Sequence, residues 1–135
     1  MKAWVFAALA FFLCTDVRAC MCITGSVEAG LANAERVFGA FVVGARVKGD
    51  SVEIDITGYA SIKGEGRALK KLTTPSSSSG CGFQVSVPER YVFFATKDGA
   101  IDRCGATRVL GDPDLGVLTS KVIRMWDSRD RADDD

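Results

Sequence analysis

Residues 36–57 read RVFGAFVVGARVKGDSVEIDIT, and this run predicts two antiparallel strands joined by a short turn. From Ser51 to Thr57 apolar and polar residues alternate, which is typical of a strand with one buried face. The turn falls at residues 48–50, where lysine, glycine and aspartate follow one another. The first strand is expected to bend at its two glycines and to carry one apolar face, formed by Val37, Phe41, Val43, Ala45 and Val47.

Later segments predict further strands separated by turns. Residues 75–80, PSSSSG, have the composition of a mobile loop between two of them. Because five or six short strands follow one another without alternating helices, we expect a small antiparallel barrel rather than a sandwich. The further predicted strand segments are residues 69–74, 83–87, 91–96 and 100–110.

Two helices flank the predicted strands. Ser26 is expected to cap a short helix over residues 27–33. Asp112 and Pro113 are expected to begin a second helix, whose apolar stripe should pack on the barrel. The charged residues 127–135 are expected to form a solvated tail. The stripe consists of Leu115, Leu118, Val122, Met125 and Trp126.

The composition excludes several classes of function. The chain has 135 residues, 47% of them hydrophobic, which predicts one globular domain. It has no histidine, so the Ser-His-Asp and Cys-His catalytic arrangements and histidine-ligated zinc sites are excluded. The 17 basic and 17 acidic residues balance, which disfavours a nucleic-acid partner.

The first 19 residues predict a cleaved export signal. Lys2 precedes an apolar run over residues 3–14, which is too short to span a membrane, and a more polar stretch ends at Ala19. Cleavage would make Cys20 the first residue of a secreted protein, extracellular or periplasmic, with no membrane segment left. Acylation of Cys20 as a lipoprotein is the alternative, which the charge of Arg18 disfavours.

The cysteines predict two disulfides. Cleavage removes Cys14 and leaves Cys20, Cys22, Cys81 and Cys104, for which three pairings exist. Pairing the first two would close a small strained ring, so both are expected to bond to the distant cysteines. Either of the two remaining pairings satisfies this expectation. Zinc ligation by the four thiols is the alternative, which the ligand spacing and the export signal disfavour.

Three sequence features stand in one order. The mature chain opens with CMC at residues 20–22, a strand VFGAFVV follows at 37–43, and CGF at 81–83 precedes YVFFA at 91–95. In this order they resemble the netrin-like module, and within it the inhibitory domain of the tissue inhibitors of metalloproteinases. The resemblance covers almost all of residues 20–110.

The resemblance implies a mainly β domain over residues 20–126. Its core would be a five-stranded, OB-fold-like antiparallel barrel with a short N-terminal helix and a C-terminal helix. The implied disulfides are Cys20–Cys81 and Cys22–Cys104. A monomer without a cofactor of its own is expected.

The implied function is inhibition of a zinc metalloendopeptidase. The unblocked α-amino group and the carbonyl oxygen of Cys20 would chelate the catalytic zinc of the enzyme and displace its activated water. Met21 would enter the pocket beside the zinc. The chain would have no catalytic residue, and its target-binding residues would be Cys20, Met21, Cys22, Ser78, Ser79 and Gly80.

Other hypotheses follow from the same residues. The chain has no cysteine after Cys104 and carries Met21 where the inhibitors usually have a small hydroxylated residue. The alternative is therefore a secreted protein-binding module without inhibitory activity, in which Met21 is simply exposed. An enzyme is disfavoured, because Glu53 and Asp55 lie on an outward strand face and are expected to be solvated.

Overall fold

A computed structural model of the chain describes Cys20 and residues 25–134. The predicted export signal, residues 1–19, lies outside the described residues. Within the described ranges no helix is both long and apolar enough to cross a membrane. The elements are α1 (Val27–Asn33), β1 (Arg36–Lys48), β2 (Ser51–Lys63), β3 (Lys71–Pro75), β4 (Glu89–Ala95), β5 (Arg108–Val109), a 3-10 turn (Pro113–Leu115) and α2 (Val117–Asp133).

The five strands form one antiparallel sheet in the order β3-β2-β1-β4-β5. The strands form a single sheet that is not closed into the predicted barrel. Among the described residues, strand β5 has two residues and pairs with β4 but not with β3. The connection between β4 and β5 reaches β3 at a parallel bridge between Ala100 and Thr73.

Each face of the sheet buries its own apolar cluster. The first cluster contains Phe38, Ile54, Leu72 and Phe93, all completely buried. The other face packs against α1 and α2, and its buried residues include Val92 on the sheet. Because both faces are covered, β1 and β4 contain continuous apolar runs rather than an alternating pattern.

The predicted apolar face of β1 is only partly correct. The pairing of β1 with β2 slips between Val42 and Gly44 and passes over Val43, which is exposed at 57%. Val47 lies opposite Val52 near the end of the strand and is exposed at 71%. On β2 the alternation is as predicted, since Ile54 and Ile56 are buried.

The helices follow the sequence pattern closely. Ser26 caps α1 by accepting a hydrogen bond from the Ala29 N–H at 3.1 Å, as predicted. Asp112 caps the 3-10 turn, and the helix proper begins one turn later than expected. The predicted stripe of α2 packs on the sheet, where the Trp126 indole donates to the Gly58 carbonyl oxygen at 2.7 Å. The helix continues to Asp133, so the expected charged tail is solvated but largely helical.

One predicted strand does not form and another is much shorter than expected. Residues 83–87 have no ladder partner in the described part of the chain, although Phe83 and Val85 pack against the first cluster. Residues 100–110 form a strand only at Arg108–Val109. The reason is a turn in which the Asp102 carboxylate accepts from the Gly105 N–H at 2.9 Å and bends the chain at Cys104.

Gly39 is expected to be essential for seating α2 on the sheet. A Cβ added there would collide with the methyl groups of Val122, which is completely buried. Gly39→Ala should therefore lower the free energy of unfolding by about 1 to 3 kcal/mol. Gly44→Ala on the same strand is the matched control, because its Cβ would meet only Asp55 at ordinary contact distance. Urea unfolding of both variants checks this, and equal stability would contradict the helix packing.

Candidate functional site

Four of the predicted target-binding residues, Cys20, Ser78, Ser79 and Gly80, belong to the described part of the chain, where a disulfide joins Cys20 to Cys81. Their Cα atoms are 5.2 Å apart, and the bond spans 61 positions of sequence. This pairing was implied by the resemblance to the netrin-like module, and the structure confirms it. Cys20 is thereby fixed next to the serine-rich segment that follows β3.

The serine-rich segment is a hydrogen-bonded turn. Ser77 organises it, because its Oγ accepts from the Gly80 N–H at 3.1 Å and its carbonyl oxygen accepts from the Gly82 N–H at 3.0 Å. The Ser78 carbonyl oxygen accepts from the Cys81 N–H at 3.2 Å. The expected mobile loop thus has a defined internal structure. Ser78, Ser79 and Gly80 are exposed on it.

The backbone after the turn is constrained at Cys81 and Gly82. Cys81 has a φ of 65°, a left-handed conformation that costs a non-glycine residue about 1 to 2 kcal/mol. A Cβ at Gly82 would collide with the carbonyl oxygen of Pro75, so only glycine fits there. The strained backbone conformation thus occurs at Cys81, the residue that forms the disulfide.

Arg103 contacts both Cys20 and the serine-rich turn. Its backbone N–H donates to the Cys81 carbonyl oxygen at 2.8 Å. Its guanidinium Nη2 donates to the carbonyl oxygens of Ser78, at 3.2 Å, and Cys20, at 3.4 Å. We call Cys20, residues 77–81 and Arg103 the disulfide ridge. The Arg103 contacts tie Cys20 to the turn independently of the disulfide.

Cys104 lies directly behind the ridge. Its Sγ is 3.6 Å from the Cys20 Sγ, and its carbonyl oxygen accepts from the Gly25 N–H at 3.2 Å. Cys104 is itself disulfide-bonded. The prediction that its partner is Cys22 falls on a residue outside the described part of the chain, as does the predicted pocket-filling role of Met21.

An open cleft of about 430 Å³ runs beside the ridge. Ser78 and Arg103 form part of its wall, and Val52 and Phe83 supply apolar surface. The ridge therefore borders a concavity that a partner's side chain can enter.

The chemistry of the ridge comes from its backbone. The Cys20 and Cys81 thiols are consumed in the disulfide, so neither is a thiolate ligand for a metal. The remaining donor atoms at Cys20 are its nitrogen and its carbonyl oxygen. The sequence analysis missed Arg103, because hydrogen bonds from a side chain to backbone carbonyls leave no pattern in a single sequence.

A second polar cluster lies on the outer face of β1, β2 and β3. The Glu53 carboxylate accepts hydrogen bonds from Lys71 at 2.7 Å, from Lys48 at 3.3 Å and from Arg46. Asp55 pairs with Arg46 at 3.4 Å. The two carboxylates, expected to be solvated rather than catalytic, are held in ion pairs at the protein surface. The hydrogen bonds from Lys71 and Arg46 lower the pKa of Glu53 to about 2.

The depressed pKa of Glu53 predicts a pH-dependent contribution to stability. A carboxylate with a lowered folded pKa stabilises the protein above its unfolded pKa, near 4.3, and this contribution is lost as pH falls toward 2. Glu53→Gln should therefore lower the thermal midpoint at pH 7, and its deficit should shrink between pH 5 and pH 3. Calorimetry across this range checks it, with the exposed Glu65→Gln as control. A deficit independent of pH would contradict the ion-pair explanation.

The chain matches no protein-family model and no curated protein sequence.

Proposed function

We propose that this chain is a secreted inhibitor of zinc metalloendopeptidases that resembles the inhibitory domain of the tissue inhibitors of metalloproteinases. In this proposal residues 1–19 are removed on export, and Cys20 becomes the first residue. Its α-amino nitrogen and carbonyl oxygen then chelate the catalytic zinc of the target.

The observation that carries the proposal is the disulfide ridge. The bond to Cys81 holds the Cys20 backbone beside an exposed turn, and Arg103 holds the Cys20 carbonyl. A chelating group must be held in place before binding, because ordering it during association would weaken the complex. The ridge supplies this preorganisation together with an adjoining surface for contact, Ser78 to Gly80.

The proposed chelation is chemically reasonable near neutral pH. An α-amino group has an ordinary pKa near 8, so a zinc ion binds its unprotonated form with loss of one proton. Displacement of the zinc-bound water removes the nucleophile that the protease requires. The inhibitor needs neither a thiol nor a histidine for this chemistry, which agrees with a chain that contains no histidine.

The sheet supports a netrin-like, OB-type arrangement as part of the proposal. Five antiparallel strands with the order β3-β2-β1-β4-β5 bring the first strand between the second and fourth. The parallel bridge between Thr73 and Ala100 lies on the side where such a sheet would close. A partly open barrel of five strands is the usual form of the OB-fold.

The experiment is a titration of the exported protein against a panel of zinc endopeptidases, using fluorogenic peptides. N-terminal sequencing of the same sample establishes whether Cys20 is the first residue. We expect stoichiometric inhibition of at least one enzyme. A correctly processed, folded protein that inhibits none of them would overturn the proposal.

The second candidate is a secreted protein-binding module without inhibitory activity. The hydrogen bond from Arg103 to the Cys20 carbonyl oxygen favours it, because it occupies one of the directions in which that oxygen would bind zinc. In this case Cys20 is a structural anchor, and the exposed turn at Ser78 to Gly80 alone contacts the partner.

Arg103→Met tests, within the inhibitor proposal, whether Arg103 positions the Cys20 carbonyl oxygen for zinc. We expect a modest loss of stability, about 1 kcal/mol, because the lost hydrogen bonds are exposed. Inhibition should also weaken, by about tenfold, since the Cys20 carbonyl loses its positioning contact. Arg124→Met on α2 is the control. Unchanged inhibition constants for the Arg103 variant would show that Arg103 does not position the carbonyl for binding.

A further inference from the structure

We propose that Cys20, Cys81 and Cys104 form a thiol–disulfide exchange site, in which Cys20 passes from Cys81 to Cys104. The three Sγ atoms all lie within 4.8 Å of one another. The Cys104 Sγ is 3.6 Å from the Cys20 Sγ, in contact with a sulfur that is already bonded to Cys81. The inference is independent of the proposed inhibitory function, because it rests on these three sulfur atoms alone.

Backbone contacts hold the three sulfurs together. The Arg103 N–H donates to the Cys81 carbonyl oxygen at 2.8 Å, which fixes the residue before Cys104 against the residue that carries the disulfide. The Asp102 carboxylate and the Gly25 N–H hold the two sides of the Cys104 turn. All three cysteines are half-buried, so part of each residue is accessible to solvent.

The exchange has two balanced steps. First, a thiolate from solution attacks the disulfide that contains Cys104 at its other sulfur; a mixed disulfide forms, and Cys104 leaves as a thiolate. The Cys104 thiolate then attacks the Cys20 Sγ. The bond between Cys20 and Cys104 forms, the bond between Cys20 and Cys81 breaks, and its electron pair goes to Cys81, which takes a proton from water. The second step consumes no oxidant or reductant.

The exchange changes how the ridge is held. After it, the turn at residues 77–81 is no longer covalently joined to Cys20. The Arg103 hydrogen bonds to Cys20 and Ser78 are then the contacts that link the two. A reducing thiol thus converts a covalently fixed ridge into one held by exposed hydrogen bonds.

The test uses the full chain with Cys14→Ser and Cys22→Ser, which leaves three cysteines. The purified protein is held at pH 8 without added thiol, alkylated, and mapped by mass spectrometry. We expect the label to divide between Cys81 and Cys104 within about a tenfold ratio, with little on Cys20, since Cys20 is bonded in both forms. The rate should not change on tenfold dilution, because the step is intramolecular.

Two further variants provide the controls. Adding Cys104→Ser should leave a bonded Cys20–Cys81 pair and no label, while adding Cys81→Ser should yield a Cys20–Cys104 bond. Label on Cys104 alone after prolonged incubation of the folded three-cysteine protein would overturn the proposal.

A measurement on the wild-type chain covers the case in which the three-cysteine variant does not fold. The folded protein is treated with less than one equivalent of dithiothreitol, quenched in acid and mapped. A trapped species with a Cys20–Cys104 bond is expected. Its absence, with only the starting disulfides and fully reduced chains recovered, would overturn the exchange.

Discussion

One alanine added before Cys20 is expected to reduce inhibition of a sensitive zinc endopeptidase by at least about a hundredfold. The added residue converts the Cys20 amine into an amide, whose nitrogen is a far poorer zinc ligand, and places atoms where the metal should lie. The loss of one of the two chelating contacts weakens inhibition, and the steric clash at the zinc weakens it further. Inhibition constants for the mature and extended proteins provide the measurement.

The fold of the extended protein should be unaffected. Cys20 lies at the disulfide ridge, outside both buried clusters of the sheet. Circular dichroism and the thermal midpoint should therefore match those of the mature protein. If the extended protein inhibits as strongly as the mature one, Cys20 does not chelate the zinc.

Replacing Cys20 and Cys81 together by serine is expected to lower the free energy of unfolding by about 4 kcal/mol. The disulfide closes a loop between positions 61 residues apart, and in the chain-entropy model its removal restores that much freedom to the unfolded chain. The substitution also removes the covalent bond at residue 81, whose backbone has a left-handed conformation. Urea unfolding of the exported variant measures the change in midpoint.

The control is Ser79→Ala, which alters the same exposed turn and leaves the disulfide intact. We expect this control to change stability by less than about 0.5 kcal/mol. A similarly small change in the double serine variant would mean that Arg103 and the turn's own hydrogen bonds hold the ridge without the disulfide.

Local sequence patterns predicted the elements that local physics controls. Ser26 caps α1 because a serine side chain satisfies an unpaired helical N–H wherever tertiary structure allows a helix. Ile54 and Ile56 are buried as alternation predicts, since the strand twofold repeat fixes their side. The apolar stripe of α2 packs on the sheet because the helical repeat places its residues on one side of the helix.

The failures occurred where distant residues decide the conformation. The slip between Val42 and Gly44 depends on the register with β2, which the β1 sequence does not encode by itself. The segment through Cys104 is an exception, because a local hydrogen bond from the Gly105 N–H to the Asp102 carboxylate turns the chain although its composition suits a strand. The β5 that follows is short, and the sheet is not closed into the expected barrel.

The candidate site shows the same division. The position of Cys20 next to Cys81 came from a resemblance in the order of cysteines and strands, not from spacing alone. Arg103 could not be found in this way, because it acts on the carbonyl oxygens of residues 25 and 83 positions away. Its role depends on how the chain folds back on itself.

The proposed inhibition depends on binding of the metalloendopeptidase zinc by the Cys20 backbone. The most direct measurement is the visible absorption spectrum of cobalt-substituted endopeptidases titrated with the exported protein, since cobalt bands report the ligands of the metal. We predict a spectral change that saturates at one equivalent with the mature protein and does not occur with the alanine-extended protein. A target that is inhibited with an unchanged cobalt spectrum would contradict chelation by Cys20.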